Sequence, residues 1–233
     1  MAHGRMAIVT RRVPVQRRSR ERVELIMKAS SELLAEGGVD ALTTRSLAER
    51  TDIPVATIYR YFGNRDEIIS AYLDHELEMI EASVTSALMA LESVTFRSMV
   101  RAVALAYMRH FQAHPEGVPV WFGGRLNAAV VDRVRMLEER LAASLRSGVE
   151  GTGMAEARSD FIAPLLVLLF DRMFEFVFLT ERTAEQQREI VLTFVDIVST
   201  YVERFVTPAG LEGVPSGAFV QARTQGATAI DVE

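Results

Sequence analysis

The chain has 233 residues, 49% hydrophobic and 24% charged, enough apolar material for a large core divided between a small head and a larger body. It has no cysteine, which excludes disulfides and thiolate metal sites and fits a reducing cytoplasm, the expected location. The formal net charge of −5 conceals an asymmetry: up to Arg65 there are 12 basic and 7 acidic residues, a net of +5, so the remainder carries −10 and only the N-terminal part is suited to a polyanion.

Seven arginines fall between Arg5 and Arg22 against one acid, Glu21. Residues 1–18 are expected to be a flexible basic arm, either a solubilising tail or an arm that reaches phosphates or a minor groove. No apolar segment follows these arginines, so neither a secretory nor a twin-arginine export signal is expected. The first helix begins near Ser19 or Arg20. Val23, Ile26, Met27, Leu33 and Leu34 mark its apolar face, and Gly37 with Gly38 ends it.

Thr43 is a good N-cap for a second helix whose inner face holds Leu47 and Ala48. Thr51 and Asp52 break that pattern, Ile53 plugs the angle between helices, and Pro54 suits the first turn of a new one. The new helix is about two turns long and stops at Gly63. Its Ile58 and Phe62, four apart, bury against Leu47 and Ile53, leaving Val55, Ala56, Thr57, Tyr59, Arg60 and Tyr61 largely on other faces. Asn64 and Glu67 then form a capping box for a long helix running to about Leu91, with Ile68, Ile69, Tyr72, Leu73, Leu77 and Ile80 as its stripe.

A short helix braced on both sides can place its start in a major groove. Small side chains at that start allow close approach to base edges, and hydroxyls and arginines suit phosphate oxygens. The alternative is a structural αα-corner with two surface tyrosines.

Beyond the long helix, Thr95 to His114 reads as helix through Met99, Val103, Ala106, Tyr107, His110 and Phe111, stopped by Pro115, Gly117 and Pro119. The run VPVWFGGR from Val118 to Arg125 brings the only tryptophan beside a phenylalanine and two glycines, as a short helix or turn lining a cavity. A helix from Asn127 to Leu145 follows, then a loop with Gly148, Gly151 and Gly153. Two apolar helices, Ala155 to Leu179 and Ala184 to Val206, close the body. Pro164 means that the first of them starts late or is kinked. Its uncharged run from Phe161, FIAPLLVLLF, is too short to span a bilayer, so no membrane partner is expected. Residues 207–233 read as a flexible tail, and no strand pattern or internal repeat appears.

The stretch LTTRSLAERTDIPVATIYRYFGNRDEII, with its threonine-rich helix start, the T-x-Y-x-Y-F run from Thr57 to Phe62 and a basic residue opening the next helix, resembles the DNA-binding head of the TetR family of bacterial transcriptional regulators. The resemblance covers roughly residues 20 to 70. It implies an all-α fold of about nine helices: a three-helix helix-turn-helix head over 19–65 and a helical effector-binding and dimerisation body over 66–206. It also implies that Thr44 and Arg45 contact phosphate or base edges, that Val55, Ala56 and Thr57 face the groove, and that Tyr59 and Tyr61 hold phosphates. Arg65 stands where the family usually has lysine and would clamp a phosphate by its fork. Arg22 and Arg60 complete the expected DNA-binding set. Pro54 and Ala56 depart from a polar residue and a glycine common at those positions, which bears on the base pairs read.

The last two helices are apolar on more than one face, a surplus that, like the family's four-helix interface, points to a homodimer. Phe161, Leu165, Leu168, Phe178, Phe194, Val198 and Tyr201 are the expected interface; an ordinary monomer core is the alternative. The resemblance also implies an effector pocket, for which Tyr107, Phe111, Trp121, Phe122, Arg125, Phe170 and Phe174 are candidates, though aromatics at helical spacing also make plain core. An inward Arg125 would favour a carboxylate- or phosphate-bearing apolar or amphipathic effector; an outward one is a surface charge. His110 and His114 have a metal-compatible spacing without an acid between them, so neither metal nor cofactor is expected.

These readings amount to a ligand-responsive regulator, most readily a repressor, that binds double-stranded operator DNA of near-palindromic sequence. The rivals are an architectural DNA-binding protein without effector control and an all-helical enzyme. For an enzyme the sequence offers no nucleophile elbow, phosphate-cradling glycine loop or acid–base constellation at motif spacing.

Overall fold

A computed structural model of the chain describes residues 17–122, 135, 139, 146, 150 and 156–221. The fold is all-α, in two compact units: the described residues of Met1–Met79 and Ala113–Val134 form one, those of Ile80–Gln112 and Arg135–Glu233 the other. The expected helix from Asn127 to Leu145, the glycine loop after it and residues 1–16 of the basic arm lie outside the described residues.

In the first unit, α1 (Arg17–Ala41) starts slightly before the expected point and takes in the last residues assigned to the arm. Its inner face is the expected one: Val23, Ile26, Met27, Leu33 and Leu34 are all buried. The backbone leaves helical geometry at Gly37 and Gly38, the latter at φ 65°, before a final turn resumes. This is the break that the glycine pair predicts, because a positive φ is open to glycine without steric cost.

Two short helices, α2 (Thr44–Thr51) and α3 (Val55–Tyr61), follow, and α4 (Arg65–Met89) leads out of the unit. Leu42, Leu47, Ile53, Ile58 and Phe62 meet in the core of the head, and burial of such side chains stabilises by roughly 1.5–3 kcal/mol each. In α4 the whole expected stripe from Ile68 to Ile80 is buried, and so are Asp74 and Glu76. A 3₁₀ turn (Pro115–Gly117) and α6 (Val118–Phe122) return to this unit, and α6 confirms a short helix at the tryptophan run. There the Ser31 hydroxyl donates to Glu116, and His114 Nδ1 lies 3.5 Å from the same carboxylate.

The second unit holds α5 (Phe96–Ala113), α7 (Glu156–Phe178) and α8 (Ala184–Val202), with the last two packed together. Helix α7 runs continuously through Pro164, which is exposed. Helix α8 is capped by Thr183, whose side chain accepts from the Gln186 N–H at 3.2 Å while Gln186 accepts from the Thr183 N–H at 3.0 Å.

Two expectations are corrected here. Residues 207–221 are not a loose tail: α9 (Pro208–Glu212) is followed by a two-residue strand, β2 (Val214–Pro215), and a helical turn over 216–221, with Phe219 buried. A strand pair does exist, since β2 pairs antiparallel with β1 (Ser93–Val94), Val94 opposite Val214. Gly213 permits it. At φ 96° a Cβ there would sit 2.9 Å from Ser93 Oγ, closer than real contacts allow.

Candidate nucleic-acid interface

The start of each helix from α2 to α4 is set by local capping. Thr43 Oγ1 accepts from the Ser46 N–H at 3.0 Å, and Ser46 Oγ accepts in return from the Thr43 N–H at 3.0 Å. Ser46 is the half of this box that the sequence reading left out. Asp52 ends α2 in the left-handed region at φ 54°, ψ 27°, turning the chain into α3. Pro54 is the cap residue of α3 rather than part of its first turn, and its carbonyl accepts from the Thr57 N–H at 2.7 Å. As a cap it still needs no N–H of its own. Asn64 Oδ1 accepts from the Glu67 N–H at 2.9 Å, and Glu67 accepts from the Gly63 N–H at 2.7 Å, so the start of α4 is held as the spacing predicts.

This bracing leaves Val55, Ala56, Tyr59 and Arg60 exposed on α3, with Thr57 half-buried beside them. Val55 and Tyr59 are 39% and 49% exposed, a large apolar exposure for so short a helix. Tyr61 does not share that face. It is 5% exposed, because it lies three residues after Ile58 and therefore falls on the same helical side. The Arg60 guanidinium sits 5.6 Å from the Tyr61 ring centroid, an arrangement that steadies the arginine at the edge of the exposed face.

Three arginines of the head have carboxylate partners. Arg45 Nε donates to Glu49 at 3.1 Å, and Arg50 reaches Glu32 at 3.2 Å and Glu36 at 2.5 Å. The Arg50 hydrogen bond holds the exposed Glu36 below the usual carboxylate range, and the Glu36 and Glu32 bonds raise Arg50 in turn. Arg65 donates through one terminal nitrogen to the Val39 carbonyl and, at 3.1 Å, to Asp40. It is half-buried and pins the start of α4 to the end of α1. Thr44 is half-buried at the start of α2, and Arg22 is exposed on α1.

The candidates for an effector pocket divide between the units. Tyr107, Phe111, Phe170 and Phe174 come together in the second: Tyr107 stacks on Phe174 at 5.8 Å, and Phe111 and Phe170 each lie 6.0 Å from it. Trp121 and Phe122 belong to the first unit, and Arg125 lies outside the described residues. Two residues expected at a dimer interface join the aromatic group, since Phe178 meets Phe111 at 5.5 Å and Phe194 meets Phe170 at 5.1 Å. The i, i+4 spacing of Phe170, Phe174 and Phe178 was the available signal for that.

Of the remaining interface candidates, Phe161, Leu168 and Tyr201 are exposed, Leu165 is half-buried and Val198 is buried. Phe176 and Ile197 are also exposed. Among the described residues no group of three or more His, Asp or Glu is placed to hold a metal ion, and no helix is long and apolar enough to cross a membrane.

Comparison with known proteins bears on the same segment. The family model of bacterial regulatory proteins, tetR family, matches residues 26–72. The HTH-type transcriptional repressor KstR of Mycolicibacterium smegmatis is 37% identical over 71 residues, 30% of this chain and 35% of that protein. The chain thus spans about a third of the length of the curated relatives it matches first. Among solved structures, a chain from Syntrophomonas wolfei assigned to the TetR-family transcriptional regulators superposes with a TM-score of 0.65 at 18% identity, covering 78% of this chain and 96% of that one. The transcriptional regulator SCO7222 of Streptomyces coelicolor, a TetR, gives 0.57 at 23% identity, covering 79% and 99%. At such identities the two structures speak for the fold alone.

Proposed function

Because this chain belongs to the TetR family of bacterial regulatory proteins, we propose that it is a DNA-binding transcriptional regulator, a repressor that grips a near-palindromic operator as a homodimer and lets go when a small molecule binds its body. The observation that carries the DNA-binding part is the exposed face of α3. Val55, Ala56, Tyr59 and Arg60, with Thr57 half-buried beside them, stand clear of a head core that buries Ile58, Tyr61 and Phe62, a placement that would set apolar and hydroxylic groups against base edges with arginine beside them. Repression is supported by the name of the KstR relative.

The dimer reading is supported by the apolar side chains that α7 and α8 leave uncovered, Phe161, Leu168, Phe176, Ile197 and Tyr201. A second copy would bury them, and two heads would supply the base contacts that one short helix lacks. The effector reading is supported by the aromatic group around Phe174, suited to an apolar or amphipathic molecule. Effector would favour a tilt of α4 in which the two heads no longer fit successive major grooves. Linkage then requires operator DNA to weaken effector binding by the same factor that effector weakens DNA binding.

Titration against DNA from upstream of its own gene and against random DNA, at two salt concentrations, tests the reading. A regulator prefers the first by several orders of magnitude at physiological salt. Superimposable curves would instead mark an architectural protein, and binding to neither DNA would remove the proposal.

A further inference from the structure

We infer that Asp40 is a built-in competitor for DNA phosphate, holding the guanidinium of Arg65 in the free protein and weakening the head's grip on any DNA; the inference rests on the DNA-binding reading above. The geometry is specific. One terminal nitrogen of Arg65 serves two acceptors, the carbonyl of Val39 and, at 3.1 Å, a carboxylate oxygen of Asp40. The Val39 bond is to backbone, and the Arg65 side chain is only 38% exposed, so the arginine is held in place whatever Asp40 does. Asp40 differs. Its side chain is 98% exposed, so nothing but the ion pair keeps the carboxylate there, and leaving costs no packing.

A singly bonded, solvent-exposed carboxylate beside an anchored guanidinium marks a place where another oxyanion fits as well. A phosphate oxygen has the same charge sign and accepts the same donors. Docking therefore exchanges one anion for another rather than filling an empty site. The released Asp40 carboxylate then faces the phosphate and recruits a cation, which offsets part of the counterion release that drives binding.

Neutralising Asp40 removes both penalties. In Asp40→Asn, affinity for the upstream duplex and for a random duplex of equal length rises together, by roughly two- to fivefold, the range for one exposed ion pair. The slope of log K against log salt between about 50 and 200 mM steepens by up to roughly one. Glu24→Gln removes a charge from the exposed side of α1 and controls for the general field; its effect is smaller on both readouts. In an Arg65→Gln background the gain from Asp40→Asn disappears, and Arg65→Met, which also removes the charge but keeps the apolar stem, serves if the glutamine variant melts early.

Three results overturn the inference: an Asp40→Asn protein no tighter than wild type, a gain no larger than that of Glu24→Gln, or a gain that survives loss of the Arg65 charge. Absence of DNA binding in the wild-type protein is a different failure, that of the function on which the inference rests.

Discussion

Arg97 grips Glu203 with two parallel hydrogen bonds, Nη2 to Oε2 at 2.8 Å and Nε to Oε1 at 3.1 Å, across 106 residues of sequence. Its remaining nitrogen reaches Asp196 at 2.7 Å, so one guanidinium ties the start of α5 to the end of α8. Lysine keeps the charge but not the fork. Arg97→Ala should lower stability by about 1 kcal/mol, a modest value because the arginine is half exposed and screened. Arg97→Lys should lose much of the same amount. Unfolding in urea measures both, and unchanged midpoints would show that the network is ornamental.

The turn between α2 and α3 rests on an aspartate in a conformation that costs most side chains roughly 1–2 kcal/mol. Asp52→Gly should therefore leave stability unchanged or raise it. Asp52→Val, β-branched, should lower the melting temperature clearly. A valine variant as stable as the wild type would mean that the turn relaxes out of the left-handed region.

Burial raises the pKa of Asp171, opposing the weaker pull of Arg172 in the downward direction, with Glu175 adding to the rise. A folded pKa above the unfolded one means that this carboxyl contributes most to stability below its unfolded pKa of about 4. The contribution is lost as pH rises through the folded value. Asp171→Asn should thus be more stable than wild type at neutral pH, with the advantage shrinking as pH falls through the folded value and gone below the unfolded value of about 4. Melting curves across that range decide it; a less stable asparagine variant at pH 7 would give the dominant role to the contact with Arg172.

On α3, Val55→Ala and Ala56→Gly should change which base pairs are preferred while leaving the salt dependence alone. Tyr59→Phe should weaken operator and random DNA alike. Tyr61→Ala should act through folding instead, costing about 3–5 kcal/mol as a large aromatic removed from the core. Binding profiles over a randomised duplex library, read beside thermal melts, separate the three behaviours. A Tyr61 variant that melts normally yet loses DNA would return that residue to the surface role the motif implies.

Elements whose causes lie within a few residues were readable in advance. Thr43, Asn64 with Glu67, the glycine pair at 37 and 38 and the Ile68-to-Ile80 stripe predict helix starts, breaks and faces, because a cap, a positive φ and a 3.6-residue repeat are local properties. The burial of Tyr61 was equally local, and only its i+3 relation to Ile58 had to be counted. The pairing of Ser93 with Pro215 left no such trace: each strand is two residues long and too short for an alternating pattern.

The sequence by itself determined that this is an all-α chain with a three-helix head preceded by an arginine-rich segment, since composition, capping and helical spacing act one turn at a time. Tertiary structure alone decided which of the surplus aromatics turn inward, placing Phe178 and Phe194 against Phe111 and Phe170 while Phe161, Phe176 and Ile197 stay exposed. It alone gave Arg65 an internal partner 25 residues away in Asp40. A side chain's apolarity or charge is written in its own residue; what it meets depends on how distant segments pack.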